Sequence, residues 1–244
     1  MNDRLIQGIS LDWSKVDRDC YLWEIPALRR LSSLIFSSNV TFFVGENGTG
    51  KSTLLEAIAV AYGFNPEGGT KNYQFSTYDS HSSLHQAVTV IRGYKKPRDS
   101  YFLRAESFYN VATKAEEYEA EEGFFKAYGG KPLHQQSHGE SFLALAQNKF
   151  CPGGFYILDE PEAALSPQRQ LTLLMEMDKL SKAGAQFLVA SHSPILLGLP
   201  NAEIYSFSED GVLPVSYEET DSYQVMEMFI NNREQLLYRL LMQE

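Results

Sequence analysis

The sequence predicts an α/β fold on an open, mainly parallel sheet, and three observations predict it. Three short apolar runs rich in β-branched and aromatic residues, Val40 to Val44, Phe155 to Leu158 and Gln186 to Ala190, have the length of strands. The first two are each followed by a stretch whose apolar residues recur at helical spacing. Strands alternating with helices of this length require crossover connections, which join parallel neighbours.

Each element has its own sequence signal. Val40 to Val44 enters a glycine-rich turn, after which Leu54, Leu55, Ile58 and Tyr62 mark a helix. From Gly63 to Lys71 the composition shifts to Gly, Pro, Asn and Glu, which reads as a loop. Ala87 to Tyr94 and Ser100 to Ala105 read as strands on either side of the turn-forming KKPRD. Val111 to Tyr128 is a polar helical stretch whose acidic run EEYEAEE has the character of a solvated face. A helix from Glu140 to Asn148, a strand from Phe155, a helix from Pro167 to Lys182 and a strand from Gln186 follow. In the tail, Asp221 to Glu244, the residues Tyr223, Met226, Ile230, Leu237 and Leu240 give one apolar helical face. It is expected to dock on the core, a dimer or partner surface being the alternative.

Composition narrows the class. The 244 residues carry 43% apolar and 21% charged side chains, which is globular, and 21 Lys+Arg against 31 Asp+Glu leave a net charge of −10. A chain so acidic is not a simple electrostatic binder of nucleic acid, although local basic patches remain open. No run reaches the roughly 20 apolar residues that would span a bilayer, and MNDRLIQGIS lacks the apolar segment of a secretory signal. A soluble, cytoplasmic protein without membrane insertion is expected. Cys20 and Cys151 stand alone and are read as ordinary thiols.

The chemistry concentrates in three places. Gly45-Glu46-Asn47-Gly48-Thr49-Gly50-Lys51-Ser52 satisfies G-x-x-x-x-G-K-[ST] between a strand and a helix, a pattern that chance supplies about once in a hundred chains of this length. Its glycines let backbone N–H groups turn inward at a helix N-terminus and form an anion nest for the phosphates of ATP. These eight residues, with Thr53 after them, are the candidate nucleotide-binding set. Lys51 would reach the β and γ phosphates, and Ser52 would join an Mg²⁺ shell that needs a carboxylate from elsewhere. The wholly apolar strand from Phe155 ends in Asp159-Glu160, at the strand end where open α/β sheets bind ligands. Asp159 is the candidate metal ligand with Ser52, and Glu160 the residue that polarises an attacking water. The strand from Gln186 ends in Ser191-His192-Ser193-Pro194, so His192 is placed to donate to the γ-phosphate or the water.

In this order and spacing the motifs resemble the ATP-binding-cassette ATPases. The resemblance makes Gly45 to Ser52 the Walker A loop, Phe155 to Asp159 the Walker B strand, Glu160 the catalytic glutamate and His192 the switch histidine. Ser137-His138-Gly139-Glu140 lies shortly before Walker B, as the signature motif does, with Ser137, Gly139 and Glu140 matching and Gln136 and His138 departing. Ala164-Leu165-Ser166-Pro167 stands in the D-loop position, with serine where aspartate is usual. Glu106 is the candidate to replace the γ-phosphate-sensing glutamine, Gln74 and Gln86 lying too early. Tyr21 or Trp23 is the candidate to stack on adenine, unless both belong to the core.

The whole is most similar to small stand-alone bacterial ATPases of the AAA, RecF and SMC-like side of that superfamily. It implies a single domain, with residues 1–75 and 137–244 as nucleotide-binding core and 76–136 as a variable, helical insertion. It further implies ATP and Mg²⁺, hydrolysis by Lys51, Glu160 and His192, and an ATP-dependent head-to-tail homodimer with Ser137 to Glu140 acting in trans. Two alternatives stand beside it: the nucleotide-binding subunit of a transporter, and a nucleotide-gated module that acts on DNA or another protein.

Overall fold

A computed structural model describes residues 4–71, 82–108 and 137–241. Six strands form the main sheet in the order β5-β6-β7-β3-β8-β9: β3 (Val40–Val44), β5 (Ser100–Arg104), β6 (Phe155–Asp159), β7 (Gln186–Ala190), β8 (Glu203–Ser208) and β9 (Gly211–Val215). The first five in that order pair in parallel, and β9 returns antiparallel to β8. A smaller antiparallel sheet joins β1 (Ile6–Leu11) to β2 (Ser33–Ile35) on one side and to β4 (Val88–Arg92) on the other.

β3, β6 and β7 are buried at every position, which explains sequences that are apolar except at Thr41, Asp159 and Gln186: both faces of the sheet are covered. Alternate side chains divide between two cores. Phe43, Ile157 and Leu188 face α2 (Lys51–Tyr62) and the small sheet, where they meet Leu54, Leu55 and Ile58. Phe42, Leu158 and Val189 face the other way, toward Leu145 of α3 (His138–Asn148) and Leu173 and Met177 of α4 (Pro167–Lys182). Ser166 caps α4 by accepting from the Arg169 N–H, and Pro167 supplies the preset φ of its first turn. Gly63 ends α2 with φ +109° and donates to the carbonyls of Ala59 and Val60, the backbone conformation that made this glycine a legible stop.

Side chains join the two sheets: the Tyr205 hydroxyl of β8 donates to Ile35 O of β2 at 3.1 Å, and Gln186 of β7 reaches β1. The Gln186 amide, 1% exposed, accepts from Ile6 N at 2.8 Å and donates from Nε2 to Ile6 O at 2.8 Å, so it behaves toward β1 as a strand residue would.

The two strands expected on either side of KKPRD are present, and that turn carries the chain from the small sheet (β4) to the main one (β5). Other expectations are modified. Residues 82–108, the described part of the stretch expected to be an insertion, supply those two strands. The helix expected from Val111 to Tyr128 lies outside the described residues. The tail forms two helices, α6 (Asp221–Asn231) and α7 (Arg233–Leu241), broken at Asn232, where φ is −132° and ψ 32°. It does not dock as expected: neither helix buries a residue, and Ile230 is 68% and Leu240 66% exposed. A short helix, α1 (Pro26–Arg29), precedes β2, and another, α5 (Pro194–Leu197), follows β7.

Phe187 is fully buried and sits 5.2 Å from the Tyr156 ring and 6.3 Å from that of Phe150. Replacing it by alanine should cost about 3–5 kcal/mol of unfolding free energy, measured by urea titration, because the surrounding aromatic cluster cannot collapse into the space.

Candidate nucleotide site

The register of three strands assembles the site. Phe43 of β3 and Asp159 of β6 both pair with Ala190 of the intervening β7, so the loop after β3 and the acid that ends β6 emerge at one level. The loop itself requires its glycines: Gly45, Gly48 and Gly50 have φ of +135°, +83° and +96°. At Gly50 a side chain is further excluded, since a Cβ would lie 2.8 Å from Leu28 Cδ1 of α1. Gly50 is also the N-cap of α2 and has no side chain to cap the first turn, which leaves that turn open to an anion.

Two contacts bind the motif together. Lys51, 4% exposed, donates from Nζ to the carbonyls of Gly45 at 2.7 Å and Glu46 at 2.8 Å. Burial lowers its pKa, opposed by the negative field of Glu160, Asp159 and Glu162. Ser52 donates to Asp159 Oδ1 at 2.9 Å, so the serine and carboxylate expected to share a cation already touch. Asp159 is 6% exposed, and desolvation pushes its pKa up to about 6, against the Ser52 hydrogen bond and the Arg104 charge.

These oxygens fit Mg²⁺. A hard cation takes carboxylate and hydroxyl oxygen, and a carboxyl held partly neutral by burial gains a partner for its charge. Among the described residues no cluster of three or more His, Cys, Asp or Glu could complete a shell. Phosphate and water oxygens would supply the rest.

Glu160 follows in a left-handed conformation, φ +51° and ψ +52°, which is uncommon for a non-glycine residue and costs on the order of 1–3 kcal/mol. The turn is pinned by its N–H bonding to Ala190 O at 2.9 Å. It leaves the carboxylate 40% exposed and 3.9 Å from His192 Nε2, itself without a hydrogen-bond partner. His192 is held through its backbone, whose N–H donates to Glu162 Oε1 at 2.5 Å. Glu160 and His192 thus stand side by side at the open face. A cavity of about 390 Å³ beside them is lined by Gly45, Glu46 and His192 and by Asp221, Ser222 and Val225 of α6.

Ser137, His138, Gly139 and Glu140 start α3. Ser137 and Glu140 form a reciprocal capping box, Ser137 Oγ donating to Glu140 Oε2 at 2.9 Å and accepting from Glu140 N at 3.3 Å. Arg169 of α4 bonds both, at 3.2 Å to Ser137 Oγ and 3.1 Å to Glu140 Oε1. The Ser137 backbone and hydroxyl bonds hold the exposed Glu140 carboxyl below its usual pKa. Gly139 is needed for a close approach, because a Cβ would lie 2.5 Å from Ala164 O, in the turn after Glu160.

Arg104 is the residue that sequence reasoning missed. It pairs in register with Asp159, lies with Nε 3.7 Å from Asp159 Oδ2, and donates from Nη1 to Glu56 Oε2 of α2 at 2.6 Å. Only its place at the end of a strand hinted at this, and no motif marks it. Glu106, exposed two residues on, adds to the negative field at Asp159. Of the aromatic candidates, Trp23 packs 4.8 Å from Trp13 and belongs to the core margin, whereas Tyr21 is 54% exposed.

With this geometry in view, the comparisons with known proteins can be set beside it. A family model described as "AAA domain" matches residues 28–146, and one described as "AAA domain, putative AbiEii toxin, Type IV TA system" matches 132–198. The chain is 27% identical over 187 residues to the ribose import ATP-binding protein RbsA of Bacillus cereus and 26% identical to that of Halalkalibacterium halodurans. Each alignment covers 68% of this chain but 37% of the relative, so the chain spans little more than a third of their length. Among solved structures it is similar to an ATP-binding cassette of an ABC transporter in its ADP conformation (TM-score 0.46, 18% identity, 83% of this chain and 92% of that one). It is likewise similar to the SMC head domain from Thermotoga maritima (TM-score 0.47, 17% identity, 86% and 99%). The AAA-domain matches and the ATP-binding relatives support a P-loop ATPase. Within that class they support the ABC type, and with it ATP binding and hydrolysis at the level of the family.

The raised Asp159 pKa has a consequence for stability. A carboxyl that titrates near 6 when folded and near 4 when unfolded binds more protons in the folded state between those values. In EDTA, stability should therefore fall by up to about 3 kcal/mol as pH rises from 4 to above 6. Asp159→Asn should remove most of that fall, which chemical denaturation across the pH range would measure.

Proposed function

We propose that the chain hydrolyses ATP in a head-to-tail pair of copies, each site completed by the other copy's α3. The observation that carries this reading is the Ser52 to Asp159 contact of 2.9 Å, which brings the phosphate loop and the acidic strand end to one point. In it, the loop from Gly45 to Thr53 cradles the phosphates with its backbone N–H groups, and Lys51 exchanges its two loop carbonyls for phosphate oxygens. Ser52 and Asp159 would hold Mg²⁺, which supplies neutralisation of charge developing on the transferred phosphoryl group. Glu160 accepts from and orients the attacking water. His192, beside it with Nε2 unpartnered, donates toward the γ-phosphate.

The second copy contributes Ser137, Gly139 and Glu140. Ser137 offers its hydroxyl and Gly139 its backbone N–H at the start of a helix, an arrangement suited to a phosphate. In the single chain the Ser137 hydroxyl is turned to its own Glu140, so engagement requires exchanging that bond for one to the nucleotide. The contact between Gly139 and Ala164 ties this corner to the turn that follows Glu160, giving each copy a rigid link between its own catalytic carboxylate and the corner it offers its partner.

A second reading, the ATP-binding subunit of a transporter, is favoured by the ribose import relatives. In the described residues no helix is long and apolar enough to cross a membrane. Co-purification with a membrane protein would distinguish it.

Glu160→Gln should slow turnover by about 10²-fold or more while ATP still binds. Sized with ATP and Mg²⁺ the variant should run as a dimer, and without them as a monomer. A monomer under both conditions would overturn the composite site, and unchanged turnover would overturn the role of Glu160.

A further inference from the structure

At the other end of the main sheet, where β5 begins and α2 ends, lies a cavity of about 490 Å³ whose charge runs against that of the chain. Lys71, Arg92, Lys95, Lys96 and Arg98 line it, five of the 21 lysines and arginines in a chain of net charge −10. The one carboxylate among its lining residues, Asp99, is engaged by its neighbour, accepting from Ser100 N at 2.8 Å. Two of the cations share the Tyr62 ring: Lys71 Nζ is 3.4 Å and the Arg92 guanidinium 5.0 Å from its centroid. The ring offsets part of their repulsion. Burial and the Arg92 charge still hold the Lys71 ammonium below its usual pKa, a strain that an anion would relieve.

The cations extend beyond the cavity. Lys95, Lys96 and Arg98 also line a second depression of about 300 Å³ that continues past Gly153 to Gly184. Tyr94 stands 74% exposed among them, with Lys95 Nζ 5.3 Å from its ring centroid. A small phosphorylated ligand would fill the first cavity, where Tyr94 is one of the lining residues, and leave the second depression unused. A basic track with an exposed aromatic beside it is the combination that holds an unpaired strand, the cations following phosphates and the ring stacking on a base.

We propose that the track formed by Lys71, Arg92, Lys95, Lys96 and Arg98 binds the phosphodiester backbone of single-stranded nucleic acid, with Tyr94 as a stacking platform. The site is separate from the nucleotide edge and rests neither on hydrolysis nor on dimerisation.

Fluorescence anisotropy of the full chain with a labelled 20-nucleotide oligo-dT tests this. Binding at 50 mM salt should weaken by about 10- to 100-fold at 200 mM, as expected for three to five phosphate contacts. Lys96→Glu combined with Arg98→Glu should weaken it at least tenfold and flatten the salt dependence, at an unchanged melting temperature. Tyr94→Ala should weaken oligo-dT on the order of tenfold with the salt slope retained. The same variant should leave competition by inorganic polyphosphate unaltered. The proposal is overturned if the wild-type chain does not bind at 50 mM salt, or if charge reversal leaves affinity unchanged. It is equally overturned if Tyr94→Ala spares oligo-dT, which would reduce the site to a general anion cavity, or if duplex of the same length binds more tightly.

Discussion

The nucleotide edge depends on the register of three parallel strands. Because Phe43 and Asp159 flank the same residue of β7, the phosphate loop and the acidic strand end rise to a common height, and Ser52 reaches Asp159 without distortion of either strand. A one-residue slip of β6 would send Asp159 to the opposite face and bring Leu158 or Glu160 to its place. The largely apolar interior of these strands makes such a slip costly, since it would exchange the two cores side chain for side chain. Packing that involves none of the candidate catalytic residues therefore fixes where they stand.

Charge at that edge is arranged for something not yet bound. Asp159, Glu160 and Glu162 lie around Lys51, which spends its ammonium on two loop carbonyls, while Arg104 divides its guanidinium between Glu56 and Asp159. The result is a carboxyl that burial keeps reluctant to ionise and a loop whose N–H groups await an anion. A cation bound with a triphosphate answers both demands at once: one charge relieves the acid, the other fills the loop. Arg104 keeps the buried acid from being wholly uncompensated in the meantime.

Much of this was readable from sequence because the core elements state their limits locally. The P-loop carries its own glycines, Ser166-Pro167 marks a helix start, and central strands are nearly unbroken apolar runs. β1, β8 and β9 were not readable, because all three mix polar residues with apolar ones, and β8 and β9 are also mostly part-buried or exposed. β9 even contains Pro214, tolerable because, among the described residues, β9 is the edge strand of the main sheet. Arg104 was invisible because its role comes from a neighbour 55 residues later in the chain, across a sheet pairing. The tail shows another limit: periodicity in α6 and α7 reveals an apolar face but not what covers it, and the core does not. Where the phosphate loop spoke in a contiguous motif, the basic track comes from two segments, and only folding brings Lys71 beside Arg92.

The amide of Gln186 has a bearing on how the two sheets can change independently. It presents one donor and one acceptor to Ile6, so a glutamate would leave a carbonyl unanswered and a leucine would orphan both groups in a dry interior. The small sheet is thus fastened by separate side-chain clasps, at Gln186 and at Tyr205, rather than by a continuous ladder. Exchange of Gln186 would loosen the small sheet from the main one while leaving the ladders within each intact.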